Sequence, residues 1–163
     1  MFMQNASLLL EQLGVIPNSV SNTGSDNLTI KKEYIKTGSV ELDRLLGGKG
    51  VETGAITESY GHSGSGKTQT CLSLCVMVQK LHSDNKAIYV DTEGKFRPER
   101  LSQIAQKKGS NSDKYLQNIK YVRVHNTARL ETVIQEDCCS EIPKDSGIKL
   151  LIIDSVTAYT VLN

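Results

Sequence analysis

Neither sign of charge dominates the chain: 19 Lys and Arg stand against 18 Asp and Glu, a formal net charge of +1 in 163 residues. Composition therefore leaves no electrostatic footprint of nucleic-acid binding, and any DNA contact has to be argued from motifs. No apolar run approaches the ~18 residues of a membrane span. The first residues, Met1 to Ala6, carry neither the basic start nor the apolar stretch of a secretory signal. An intracellular chain without a membrane segment is expected. The four cysteines, Cys71, Cys75, Cys138 and Cys139, form no C-x-x-C pair. Adjacent Cys138 and Cys139 are poor disulfide partners, so buried reduced thiols are expected rather than a metal site. No internal repeat is present.

The hydrophobic fraction of 38% and mean hydropathy of -0.29 fit a soluble globular protein, and the length fits one domain. Residues 1–30 read as a short helix (residues 7–13, closed by Gly14) followed by a linker rich in Ser, Asn, Thr and Gly. A boundary falls near residue 30, and residues 31–163 form the remaining unit. There the pattern alternates. Ser39 caps a helix with Leu42, Leu45 and Leu46 on one face, stopped by Gly47. Residues 55–60 (AITESY) read as a strand running into a glycine-rich loop and an apolar helix from Lys67 to about Leu81. Residues 87–91 (AIYVD) form a second strand. Pro98 starts a helix carrying Leu101, Ile104 and Ala105, and Gly109 ends it. Residues 119–124 (IKYVRV) form a third strand, and Leu130, Val133 and Ile134 mark another helix. Residues 149–154 (KLLIID) form a fourth strand whose unbroken apolar run predicts burial on both faces. The order predicts an α/β fold: a mostly parallel sheet with helices on both faces.

Two stretches carry chemistry. Gly61-His62-Ser63-Gly64-Ser65-Gly66-Lys67-Thr68 fits G-x-x-x-x-G-K-[ST]. The glycines let backbone N–H groups wrap around phosphates, and the following helix adds its positive end. Lys67 can reach the β- and γ-phosphates, and Thr68 can offer a hydroxyl to Mg²⁺. His62 reads more simply as a solvent-facing loop residue than as a catalyst. The second stretch, Leu150 to Asp154, is an apolar strand ending in an acid at its carboxyl edge, where ligands of open α/β sheets gather. Asp154 is read as a Mg²⁺ residue acting through water, the alternative being an acid that merely ends a buried strand. The residue after it is Ser155, so the carboxylate that orients water must come from elsewhere. Glu93, just past the second strand, is the candidate catalytic base; otherwise it is a loop carboxylate.

These residues, together with others, resemble the ATPase core of the RecA/RadA-type DNA recombinases. Tyr34 to Ser39, Leu42 to Gly48, Val51 to Glu58 and Gly64 to Gln69 match in order, and Tyr89-Val90-Asp91-Thr92-Glu93-Gly94-Lys95-Phe96-Arg97-Pro98-Glu99-Arg100-Leu101 is the most discriminating stretch. Arg123 to Thr127 and Ile152 to Ala158 continue the match. The resemblance implies a P-loop, RecA-like ATPase using ATP and Mg²⁺. It further implies filaments or rings of identical subunits acting on single- and double-stranded DNA. It assigns water activation to Glu93, places Gln69 with the nucleotide-binding loop and implies that Arg100 packs on the adenine ring. His62, Ser63 and Lys49 depart from the family pattern. The chain ends shortly after the second motif, so it is expected to be the N-terminal part of the core, cut short before the DNA-binding loops. A non-catalytic recombinase paralogue that binds ATP and regulates filaments is the alternative. A helicase or clock-type ATPase fits residues 91–101 less well. The compartment follows the source: nucleus in a eukaryote, cytoplasm or nucleoid in an archaeon.

Overall fold

A computed structural model describes residues 33–109 and 112–158. The expected helix and linker before residue 30 lie outside the described residues, as does the tail after Ala158. The chain opens with a small antiparallel pair, β1 (Tyr34–Ile35) and β2 (Val51–Glu52), with Tyr34 opposite Glu52. Between them lies helix α1 (Val40–Leu45), capped by Ser39, whose hydroxyl accepts from the Leu42 N–H at 3.3 Å. The expected apolar face is not turned inward. Leu45 is 84% exposed, and the buried residue is Asp43, which accepts from the Thr37 N–H at 2.8 Å and hydroxyl at 2.9 Å. A six-residue helix is too short to hold itself on the core by a leucine stripe, so a buried carboxylate anchors it instead.

The main body follows. Helix α2 (Lys67–Leu81) leads into β3 (Lys86–Asp91); α3 (Pro98–Lys107) and α4 (Ser112–Gln117) lead into β4 (Ile119–Arg123). Helix α5 (Thr127–Thr132) continues as a π-helical turn (Val133–Cys138) and a last short piece, α6 (Cys139–Glu141), before β5 (Ile148–Asp154). The three long strands form a parallel sheet in the order β4-β3-β5. Asp91, the last residue of β3, stands level with Arg123 on one side and Asp154 on the other.

The pleat of β3 builds two cores. Ala87 and Tyr89 pack with Leu72, Cys75 and Val76 of α2 and Leu101 and Ala105 of α3. Ile88 and Val90 point the other way, onto Leu130, Val133 and Ile134. Helices therefore cover both faces, as the alternation predicts. Each fully buried aliphatic or aromatic side chain contributes about 1.5–3 kcal/mol relative to exposure. Polar groups inside are matched: Gln79 donates to the Cys75 and Tyr115 carbonyls, and Asn85 to that of Val78. Lys108 donates to the Gly38 carbonyl at 3.0 Å.

Two expectations need correction. Residues 55–60 form no strand: they are exposed, with Ile56 at 50% and Tyr60 at 86%. Apolar and β-branched residues favour a strand only where a neighbour offers hydrogen bonds, and no described strand lies beside this segment. The second correction concerns β5. Ile152 is 6% exposed, but Leu150, Leu151 and Ile153 are only half-buried. Among the described residues β5 is an edge strand, paired on one side by β3.

Candidate functional site

The site lies at the carboxyl edge of the sheet. The glycine-rich loop, residues 61–66, is exposed up to Ser65 and passes into α2 through Gly66. Gly64 and Gly66 have φ of +80° and +96°, conformations that a side chain resists. Gly66 caps α2 with no side-chain hydrogen bond, so the first-turn N–H groups of a 15-residue helix have no side-chain cap. Inside the loop, the Lys67 ammonium donates to the carbonyls of Gly61 at 2.8 Å and His62 at 2.9 Å. The loop thus curls around a cation held by its own backbone. His62 and Ser63 are exposed. Space is open at Gly64 and Gly66, where a Cβ would meet nothing within 4 Å. Donors around an open concavity beside a positive helix end fit a chain of phosphates.

Asp154 ends β5 and is 8% exposed; its carboxylate accepts from the Tyr89 hydroxyl at 2.7 Å. Burial, then the bond to Asp154, pushes the Tyr89 phenol up. The same acid acts on α2: burial first, and then the charge of Asp154, push the Cys71 thiol up to about 12. Thr68 lies one turn before Cys71 in the first turn of α2. Among the described residues no three His, Cys, Asp or Glu side chains converge as a metal cage. One hydroxyl and one carboxylate beside phosphates suit Mg²⁺, which keeps much of its water and takes few protein ligands.

Glu93 lies two residues past β3. Its carboxylate accepts from the Ser155 hydroxyl at 2.8 Å and pairs with the Lys95 ammonium. The Lys95 contact, then the Ser155 bond, hold its carboxyl below the ordinary glutamate range. The two strand ends are stitched together: Thr92 N–H donates to the Asp154 carbonyl at 2.9 Å, and the Ser155 N–H donates to the Thr92 hydroxyl at 2.8 Å. Arg100 of α3 reaches back to α2, its Nε donating to Gln69 Oε1 at 2.7 Å and its Nη1 to Gln103 at 3.0 Å. Glu93 and Asp154 thus stand at strand ends that are joined to each other, 61 positions apart in sequence, and Arg100 ties α3 to Gln69 in the first turn of α2.

Sequence reasoning missed what supports these groups. Tyr89, Ser155 and Lys95 stood inside recognised motifs without assigned contacts. Asp91 was read only as the end of a strand, yet it is fully buried. Burial would raise its carboxyl. N–H donation from Phe96, Lys95 and Gly94, with the Tyr121 hydroxyl, outweighs that and holds it below the ordinary range. A signal was present: an acid shortly before glycine often folds a turn around its own carboxylate.

A parallel sheet with helices on both faces, a glycine loop opening a helix and an acid at a strand end are features of the α/β class of P-loop proteins. The comparison with known sequences narrows this class, because the sequence model of the family described as Rad51 matches residues 30–162. The chain belongs to the Rad51 family. It is 44% identical over 138 residues to the DNA repair and recombination protein RadA of Aeropyrum pernix, a match covering 82% of this chain. The chain spans 42% of the length of that relative.

Proposed function

We propose that this chain is the N-terminal portion of the ATPase core of a DNA recombinase, comprising residues 31–163 preceded by a linker at 1–30. It binds Mg-ATP at the carboxyl edge of its sheet. The observation that supports this reading is the joining of the ends of β3 and β5 by the Thr92–Asp154, Thr92–Ser155 and Glu93–Ser155 hydrogen bonds, in a chain whose glycine-rich loop opens α2. Gly61, His62, Ser63, Gly64, Ser65 and Gly66 wrap the phosphates with backbone N–H groups. Lys67 exchanges the Gly61 and His62 carbonyls for phosphate oxygens. Gln69 holds Arg100, whose flat guanidinium stacks on the adenine. Thr68 and Asp154 would hold Mg²⁺, which when bound neutralises charge on the phosphates. Tyr89 orients Asp154 by its hydrogen bond.

Glu93 receives a proton from the attacking water. Its two donors keep it ionised and aimed, and Lys95 swings away before the proton arrives. A positioned base of this kind contributes about 10²–10⁴ in rate. The whole protein, as the resemblance to the recombinase family implies, acts inside the cell on single- and double-stranded DNA as an assembly of identical subunits. The alternative is a paralogue that binds ATP as an assembly signal and hydrolyses little; the engagement of Glu93 by Lys95 is the feature that favours it.

The test is thermal unfolding of the chain with and without saturating Mg-ATP, beside Lys67→Ala. At 100 times its dissociation constant a ligand stabilises by about 2.7 kcal/mol. An upward shift in the parent chain that Lys67→Ala abolishes is expected; no shift in a cooperatively unfolding chain sinks the ATP site. Turnover of Glu93→Gln then separates the two readings. A loss of about 10²-fold or more is expected for the enzyme, and an unchanged rate indicates the paralogue.

A further inference from the structure

The mechanism above does not use the fully buried acid at the end of β3. Asp91 ends β3 with a side chain 1% exposed, in the middle of the sheet. Its Oδ1 accepts from the N–H groups of Glu93 at 3.1 Å, Gly94 at 2.6 Å and Lys95 at 3.2 Å. Its Oδ2 accepts from the Phe96 N–H at 3.1 Å and the Tyr121 hydroxyl at 3.1 Å. Arg123 of β4 adds a guanidinium at 3.3 Å from Oδ1. Four successive N–H groups thus close on one internal carboxylate, as a backbone nest closes on an anion.

The chain is shaped for this closure. Gly94 has φ +73°, and a Cβ there would meet Arg123 Nη2 at 2.9 Å. Past the turn, Phe96 enters between Tyr89, at a ring distance of 4.9 Å, and Tyr121, at 4.7 Å. Glu93 stands at the first position of this turn, and its own N–H is one of the four donors. Its side chain can meet Ser155 only if its backbone is fixed there.

We propose that Asp91 is a positioning residue for Glu93: its carboxylate folds residues 93–96 into the one turn that presents Glu93 beside the end of β5. This rests on the reading of Glu93 as the base that orients water. No neutral isostere can replace the acid. The amide of asparagine offers one accepting oxygen where the nest needs two, and turns an N–H toward donors.

The test uses the full chain as Asp91→Asn, Glu93→Gln and the double variant. Amide hydrogen exchange comes first and needs no turnover. In Asp91→Asn the amides of residues 93–96 are expected to exchange about tenfold faster or more, while those of Ile88 to Val90 stay protected. Unchanged exchange at residues 93–96 overturns the proposal. Mg-ATP turnover comes second. Asp91→Asn is expected to lower kcat about 10²-fold with KM nearly unchanged, and the double variant to be no slower than Glu93→Gln alone. A double variant slower by a further, equal factor overturns the proposal, because damage to the fold alone would add in both backgrounds. Unchanged turnover in Glu93→Gln sinks the base reading by itself, and the exchange result still decides whether Asp91 holds the turn. Should Asp91→Asn not fold, Gly94→Ala carries the test. It keeps the acid but strains the turn, and faster exchange confined to residues 93–96 supports the proposal whereas unchanged exchange overturns it.

Discussion

At Asp91 a full negative charge sits inside the protein, and the fold surrounds it with donors rather than with a single counter-ion. That choice has a consequence in acid. The folded state holds this carboxyl below its unfolded value of about 3.9. Its contribution is therefore complete above that pH and is lost as pH falls through the folded value. Glu93 is displaced in the same direction, first by Lys95 and then by Ser155, but its exposure makes its share smaller. Urea midpoints measured from about pH 7 down to about pH 3 are expected to fall steeply at the acid end, and Asp91→Asn to flatten that fall. An equally steep fall in the variant would mean that other carboxylates dominate. Lys67 is likewise met by backbone groups: its ammonium rests on two carbonyls of its own loop.

Elements here begin and end where local chemistry says they should. Pro98 starts α3, Asn126 caps α5 by accepting from the Arg129 N–H at 2.8 Å, and Gly109 follows the C-cap of α3 at φ +73°. The signals of Pro98 and Gly109 were read from the sequence, because each depends on neighbours within one turn; the Asn126 cap was not. The β1–β2 pair and α4 went unread, being too short to show a period. The pair depends on Gly50, at φ +98°, where a Cβ would lie 2.3 Å from the Ile35 carbonyl oxygen. Gly50→Ala is therefore expected to break this pairing. The left-handed backbone alone costs about 1–2 kcal/mol, and backbone cannot yield as a flexible side chain would. Denaturant unfolding should show the loss; stability within about 0.5 kcal/mol of the parent would show that the pair is dispensable. Residues 55–60 illustrate the opposite failure, a good local pattern without a partner strand.

For the molecule as a whole, the open side of β5 governs behaviour. Among the described residues, half-buried Leu150, Leu151 and Ile153 stand on a strand paired on one side by β3, and the chain also exposes Ile56 and Tyr60. Such an edge recruits another strand. Sedimentation velocity over rising concentration is expected to show self-association of the chain. A single monomer boundary throughout would mean that residues outside those described cover the edge. The two cores are unequal for the same reason. The face formed by α2 and α3 is backed by long helices, whereas the face of α5 rests on a shorter helix that passes into a π-helical turn.

By itself the sequence determined the glycine-rich loop before α2, the acid of β5, the alternation of strands and helices from α2 onward and the resemblance to a family that the comparison bears out. Those features are written in contiguous residues, where glycine, capping side chains and hydrophobic period act over a few bonds. Only the tertiary structure decided that Glu93 meets Ser155, that Tyr89 holds Asp154 and that Arg100 finds Gln69. It also decided that Asp91 is the centre of a turn. Those contacts depend on strand register and on which helix crosses which strand end. A shift of one residue in register would send every side chain of a strand to the other face, and no local pattern records that choice.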